Sequence, residues 1–518
     1  MLGIKKKYHI KEESTGDKPS VHGRLMKRNN NNDTHQTSFC LMSDLHKPIT
    51  DTPWRPVKKA AVSSIAAVLL LIGGVLVSVG WFDTSIFSGL SSYQNIAVGS
   101  NSTTPRQKPE FPLECLTNTS NQTQTCPRSY PTIIPAVNNT SNLTCPSFFR
   151  WIHEDLRHWK QTGITRDMVE RARKTAHFRL VIVNGKAYVE KYRKSIQTRD
   201  KFTLWGILQL LRLYPGKLPD LELMFDCDDR PVVRSRDFQG PDARPPPLFR
   251  YCADESSMDI VFPDWSFWGW AETNIRPWGN LLEEIKKGNQ RTKWKERVPY
   301  AYWRGNPSVA PTRKDLMKCN VTDKNNWNTL LYVQDWGRET KQGFKQSNLE
   351  DQCTHRSSFY DFFIRGMVPL QHYWPIRDNG KCKSLKFAVD WGNLHPHQAE
   401  AIGEAAGNFI QEDLKMDNVY DYMFHLLNEY AKLLKFKPIV PPAAVELCSE
   451  TMACPETGTW KKFMVESLVM SPSDATPCAL PPPYEPQQLR EFVERKANST
   501  RQVEMWEDQY WLSSDQKQ

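Results

Sequence analysis

Residues 220–233 read DLELMFDCDDRPVV, and the chain changes character abruptly at Phe225. Leu221–Phe225 is a short apolar run with turn residues on both sides, the pattern of a strand buried on both faces. Asp226-Cys227-Asp228-Asp229-Arg230-Pro231 then turns sharply, because Asp competes for backbone hydrogen bonds and Pro fixes its own φ. Upstream, Phe202–Leu213 is apolar on more than one face and reads as a buried helix. Before it, FRLVIVNGKAYVEKY (178–192) holds two β-rich runs joined by Asn184-Gly185, the strongest short hairpin signal. Thr165 caps an expected helix through Met168, Val169 and Ala172. Downstream, Met258–Phe262 reads as a short strand stopped by Pro263. Residues 396–437 read as helical, with Asp417 as a cap and an apolar stripe of Tyr420, Met423, Leu427, Tyr430 and Leu434. Strands alternating with helices predict an α/β fold.

The acidic turn is the best chemical candidate, since ligands of α/β sheets gather beyond the carboxyl ends of strands. Two chemistries fit it. Asp226-x-Asp228 can hold a divalent metal and a nucleotide-sugar diphosphate; Asp229, beside a proline-fixed turn, can serve as a general base. An acidic surface turn fits equally well. Residues 264–278, DWSFWGWAETNIRPW, hold four tryptophans, which stack on sugar faces or fill cores. Arg304 in YAYWRGNPS (300–308) follows an apolar-aromatic strand, where a guanidinium can meet phosphate or close a structural ion pair. His395 and His397 flank Pro396, which favours a helix start over a metal site.

Further out, Ala60–Phe82 is a 23-residue run without charge or proline. It spans roughly 34 Å as a helix, enough for a bilayer core of about 30 Å. Residues 1–59 hold twelve Lys and Arg against six Asp and Glu, so the expected topology is type II, with the tail cytosolic. Asn-x-Ser/Thr acceptors crowd just beyond: Asn101, Asn118, Asn121, Asn138, Asn139 and Asn142, then Asn320 and Asn498. Residues 83–144 thus read as a glycosylated stem. Eleven of the twelve cysteines follow the apolar run without zinc-ligand spacing, so disulfides are expected, with one thiol left over. Net charge is +10, much of it in the tail, which gives little reason to invoke nucleic acid. Composition divides the rest into a globular region, 145–438, and a proline-rich, cysteine-containing tail, 439–518.

Taken together, DLELMFDCDDRPVV, MDIVFPDWSFWGW (258–270), YAYWRGNPS, QCTHR (352–356), FYDFFIRGMVPLQHYWPI (359–376), KFAVDWGN (386–393) and FIQEDLKMDNVYDYMFHLLNEYAKLL (409–434) resemble glycosyltransferase family 90. That family includes the Rumi-type protein O-glucosyltransferases and the fungal capsule-associated xylosyltransferases; its plant branch shares the short anchor and stem. The resemblance implies a two-lobed GT-B fold, with 145–297 as the first lobe and 298–438 as the donor-side lobe. It implies inverting, metal-independent transfer of glucose or xylose from UDP-glucose or UDP-xylose to a hydroxyl on a protein or glycan, without a cofactor. It places the base at Asp229, donor-side arginines at Arg304 and Arg313, and a loop between acceptor and donor at Trp268, Trp270 and Thr273. The chain departs from the family after Arg356, where roughly thirty residues, about one strand-helix-strand passage, are missing. A catalytically impaired variant or a carbohydrate-binding membrane protein is therefore the alternative. The final Asp-Gln-Lys-Gln is no retrieval signal, so a Golgi membrane is expected, with the endoplasmic reticulum as the alternative.

Overall fold

The structure is a computed structural model that describes residues 110–117, 125–127, 143–240, 242–322, 325–334 and 361–516. The expected cytosolic tail 1–59, the apolar run 60–82, most of the expected stem with Asn101, Asn118, Asn121, Asn138, Asn139 and Asn142, and the expected shortening after Arg356 lie wholly or largely outside the described residues. Among the described residues no helix is long and apolar enough to cross a membrane.

The fold is α/β and starts from the hairpin. Strands β1 (Phe178–Val183) and β2 (Lys186–Lys191) pair antiparallel from Val183↔Lys186 to Phe178↔Lys191. Asn184 and Gly185 turn between them with φ of 52° and 74°, the twist a two-residue connection requires. Helix α1 (Arg166–Ala172) precedes them, and the Thr165 side chain accepts from Met168 N at 3.4 Å. Helix α2 (Arg199–Leu213) follows and is buried from Phe202 to Arg212. β3 (Leu221–Phe225) is buried at every residue and pairs antiparallel with β1. Even its Glu222 lies inside, 3.2 Å from Arg179 Nε.

β4 (Leu248–Arg250) and β5 (Ile260–Val261) then add in parallel, each beside the last. The strand expected over 258–262 shrinks to two residues: Met258 N turns away to donate to Val233 O, and the bond from Phe262 N to Arg250 O closes the ladder with β4. Helix α3 (Trp278–Arg291) leads away to a separate parallel pair, β6 (Ala301–Gly305) and β7 (Thr329–Val333), with α4 (Pro311–Leu316) between them. This pair has its own core of Trp303, Leu316, Leu331, Leu385 and Val389, stapled by Cys319–Cys382.

Three further helices are α5 (Lys381–Leu394), α6 (Pro396–Asn408) and α7 (Met416–Leu433). Lys415, not Asp417, occupies the cap of α7; Asp417 stands in the first turn, where a negative charge faces the positive end of the helix. Residues of α7 were expected with the donor-side unit, yet its buried stripe packs on the first sheet. Tyr430 OH donates to Glu222 O at 3.0 Å, and the Tyr430 ring meets Phe249 at 4.9 Å. The aromatic stripe is what sends it there: Tyr420 and Tyr430 need buried polar partners, and the tryptophan loop and β3 supply them.

The tail is built in rather than draped. β8 (Val445–Leu447) joins β2 and completes the order β5-β4-β3-β1-β2-β8. Helix α8 (Gly458–Glu466) lies under the tryptophan loop, with Phe463 against Gly269. The last helix, α9 (Pro486–Asp515), rests on α5 through Trp506, Trp391 and Trp374. Disulfides Cys115–Cys454 and Cys126–Cys448 fasten the tail to the last part of the stretch read as stem, which is thereby bound to the fold, and Cys145–Cys478 fastens it to the start of the globular region. Among the described residues Cys227 and Cys252 are free and buried.

Candidate active site

Because β3, β4 and β5 run parallel, their carboxyl ends open on one edge. Asp226–Asp229 leave β3 there, Tyr251 and Cys252 leave β4, and Asp264 with Trp265 leaves β5. The acidic turn is held from two sides. Arg250, buried on β4, donates from Nη1 to Asp226 Oδ2 and from Nη2 to Asp228 O, both at 2.7 Å. Asp259 accepts from Val232 N and Val233 N, each at 3.1 Å through Oδ2, which fixes the exit of the turn. On the other side Arg199, the first residue of α2, donates from Nη1 to Asp229 Oδ1 at 2.7 Å and from Nη2 to Oδ2 at 3.3 Å. Its guanidinium sits 4.4 Å from the centroid of the Trp265 ring.

The Asp229 side chain is 12 % exposed, enough for a small group to reach it. Burial pushes its carboxyl above the ordinary value, and Arg199 opposes that rise. Asp264 and Asp361 share the neighbourhood: burial raises them to about 6 and about 7, and the Asp229 charge adds to both shifts. Asp264 also accepts from Ser266 N at 2.9 Å, capping the turn Trp265–Trp268. Asp361 is brought up by Phe362, whose ring packs 5.8 Å from Phe267 of the same loop.

Asp226 and Asp228 serve a different purpose. Beyond Arg250, Asp226 lies 3.3 Å from Arg193 Nη2 and 3.1 Å from His177 Nδ1, which itself accepts from Cys227 N at 3.0 Å. His177, Asp226 and Asp228 together have ligand-atom spacing a metal could use. Two arginines already meet the Asp226 carboxylate, and a cation entering there would have to displace or face them. Asp226 is thus committed to holding the turn.

The tryptophan loop separates into anchor and edge. Trp268 is fully buried, packs on α2 and donates from Nε1 to Tyr420 OH at 2.9 Å, so it offers no face to a ligand. Trp270 is partly exposed and meets Trp265 edge-on at 5.4 Å, while Thr273 Oγ1 donates to the Trp270 carbonyl at 3.4 Å. Thr198 Oγ1 donates to Glu272 Oε2 at 2.7 Å and ties this edge to the start of α2.

Arg304 and Arg313 belong to the smaller sheet. Arg304 lies on β6, and Arg313, buried on α4, donates to Asn306 O at 3.3 Å in the loop between them. Burial lowers Arg313 to about 10, still cationic at neutral pH. Asp229, Trp270 and Thr273 therefore gather on one sheet, the two arginines on the other. Asn320 and Asn498, expected as glycosylation acceptors, stand next to the Cys319–Cys382 staple and on α9, far along the chain from the acidic turn.

Sequence reading missed Arg199, Asp264, Trp265 and Asp361 as site residues. Asp264 and Trp265 carried a local signal, an Asp-Trp pair directly after a strand-ending proline. Arg199 carried none, since nothing in Thr-Arg-Asp names a carboxylate thirty residues away.

Residues 140–360 and 356–507 match glycosyl transferase family 90. The O-glucosyltransferase rumi of Drosophila melanogaster is 20 % identical over 346 residues, covering 58 % of this chain and 81 % of the fly protein. The O-glucosyltransferase rumi homolog of Aedes aegypti is 24 % identical over 328 residues, covering 55 % and 77 %. Protein O-glucosyltransferase 1 of Homo sapiens is 23 % identical over 347 residues, covering 57 % and 82 %. With most of the globular region matched, the chain belongs to glycosyl transferase family 90.

Proposed function

We propose that the chain transfers a sugar, glucose or xylose, from a UDP-sugar to a hydroxyl group, with Asp229 as the general base. One observation carries this reading: a partly exposed carboxylate, oriented by Arg199, stands at the carboxyl edge of three parallel strands beside the Trp270 edge. The acceptor oxygen attacks the anomeric carbon, its proton passes to Asp229, and the bond from that carbon to the UDP oxygen breaks with inversion. The negative charge left on the diphosphate falls to Arg304 and Arg313, so the step runs without a metal. The relatives' names point to a protein acceptor; a glycan acceptor fits the same chemistry.

In this reading the sheet β5-β4-β3-β1-β2-β8 belongs to an acceptor-side lobe and the pair β6–β7 to a donor-side lobe of a GT-B enzyme. The separate cores support that division. The 60–82 run anchors the protein as a type II Golgi membrane protein, and the 83–144 stem holds the lobes away from the bilayer. The four disulfides support the oxidising compartment that this topology requires.

A second reading has its own support. The family match breaks into two segments meeting at 356–360, where the missing block was expected, and the smaller sheet has only two strands among the described residues. On β7, Tyr332 and Val333 are 49 % and 57 % exposed. A donor site short of a strand would leave a membrane-tethered carbohydrate-binding protein.

Asp229→Asn decides the role of the base: transfer is expected to fall about 100-fold or more, with UDP affinity within about twofold of wild type. Full turnover in that variant excludes Asp229. Thermal unfolding with UDP-glucose separates the two readings. A ligand at a hundred times its dissociation constant adds about 2.7 kcal/mol, whereas a melt indifferent to UDP, UDP-glucose and UDP-xylose supports the binding protein.

A further inference from the structure

The acidic turn holds its shape without the Asp229 side chain. Arg250 takes Asp226 and the Asp228 carbonyl, and Asp259 takes the amides of Val232 and Val233. Yet Asp229 has a guanidinium of its own. Arg199 is 2 % exposed, and besides both Asp229 oxygens its Nη1 reaches Cys227 O at 3.1 Å. Its backbone is pinned as well: its carbonyl accepts from Thr203 Oγ1 at 2.8 Å and from Tyr251 OH at 3.3 Å. Trp265 covers the guanidinium face, and Trp265 in turn carries Trp270.

We propose that Arg199 is the positioning residue of the Asp229 base, fixing the direction of its carboxylate and coupling that direction to the Trp265–Trp270 edge. This rests on the reading of Asp229 as the base. A carboxylate offers about four lone-pair directions; a guanidinium that takes one on each oxygen leaves the others aimed away from α2. When Asp229 accepts a proton its bond to Arg199 weakens. The guanidinium keeps the Cys227 carbonyl and the Trp265 ring, so it is still in place when the proton leaves. Arg199 also acts on charge. The groups facing Asp229 are Arg199 from α2, Asp228 within the turn, Arg250 and Cys252 from the end of β4, Asp264 after β5, and Asp361. Of these, Arg199 is the foremost group opposing the rise that burial imposes.

The test uses the full-length chain and follows UDP release from UDP-glucose between pH 5 and 9. Water is the acceptor: its oxygen bonds to the anomeric carbon, its proton goes to Asp229, and UDP leaves. In Arg199→Gln the acid limb of the rate profile is expected to move up by about 1–3 pH units, with rate recovered above the new limb and KM for UDP-glucose within about twofold. Arg199→Lys keeps the positive charge but not the fork, so it is expected to leave the limb in place and lower the plateau about tenfold. An equal loss at every pH in Arg199→Gln, or a limb that does not move, overturns the proposal. If Arg199→Gln does not fold, Arg199→Lys decides alone, and a wild-type plateau in it overturns the proposal.

A readout free of turnover covers a chain that releases no UDP. A raised carboxyl stabilises the fold below its unfolded pKa, and that contribution is lost as pH rises through the folded pKa. Part of the loss is expected to shift to higher pH in Arg199→Gln than in wild type, and that shift is expected to vanish when Asp229→Asn is added, while the loss owed to Asp259, Asp264 and Asp361 remains. No displacement in the melting series overturns the proposal. Undiminished turnover in Asp229→Asn alone instead removes the base reading on which it rests.

Discussion

Asp264 caps the Trp265–Trp268 turn with one oxygen and adds negative charge to the space Asp229 occupies. Burial raises Asp264 and Asp259 to about 6 and Asp361 to about 7. Each of these groups favours the fold when protonated, so the stabilisation is fully present below about pH 4 and is lost as pH rises through 6 to 7. Asp264→Asn keeps an acceptor for Ser266 N and removes the charge. It is expected to cut the fall in unfolding free energy between pH 4 and 7 by about 2 kcal/mol, measured by urea denaturation across that range. An unchanged slope means that Asp264 is solvated in the folded chain. Residues of this kind show how far the chain can be read in advance. The DCDD turn announced itself because acid and proline cluster after an apolar run. Arg199 stayed hidden because its partner is set by how α2 packs against β3, which no local pattern encodes.

Among the elements, α2 and the tryptophan loop depend on one missing side chain. A Cβ on Gly206 would stand 2.5 Å from the Trp268 ring, well inside contact distance. Gly206→Ala is expected to push Trp268 off α2, break its bond to Tyr420 and destabilise the fold by about 1–3 kcal/mol. Denaturation followed by tryptophan emission checks this, and a wild-type midpoint would show that the loop can shift at no cost. The hairpin, the Thr165 cap and the buried β3 were legible because each is dictated within a few residues. The shortened β5 and the addition of β8 were not, since both depend on pairing across the sheet. The destination of α7 was half legible. Its stripe was plain, but which sheet receives the stripe is decided by tyrosine hydroxyls finding Glu222 and Trp268.

Over the whole molecule, the feature hardest to read was the cysteine pairing, because eight thiols admit 105 connectivities. Three of the four bridges join the same two regions, 115–145 and 448–478. Any two still close the chain over more than 300 residues, so the double variant Cys145→Ser/Cys478→Ser is expected to cost about 2 kcal/mol or less. Removing all three should approach the 4–5 kcal/mol typical of long loops, about 4.7 kcal/mol for a 100-residue one. Equal losses from one and from three would mean that Cys145–Cys478 alone confines the unfolded chain. The same bridges impose an order in time. Cys145 leaves the ribosome 333 residues before Cys478, roughly 17–67 s at about 5–20 residues per second. For that interval three early thiols stand open to the wrong partners, and β2 waits beside an empty edge that only β8 can fill. Synthesis that halts before residue 478 leaves Cys145 without its partner, so the chain can close this third staple only once its tail is nearly complete.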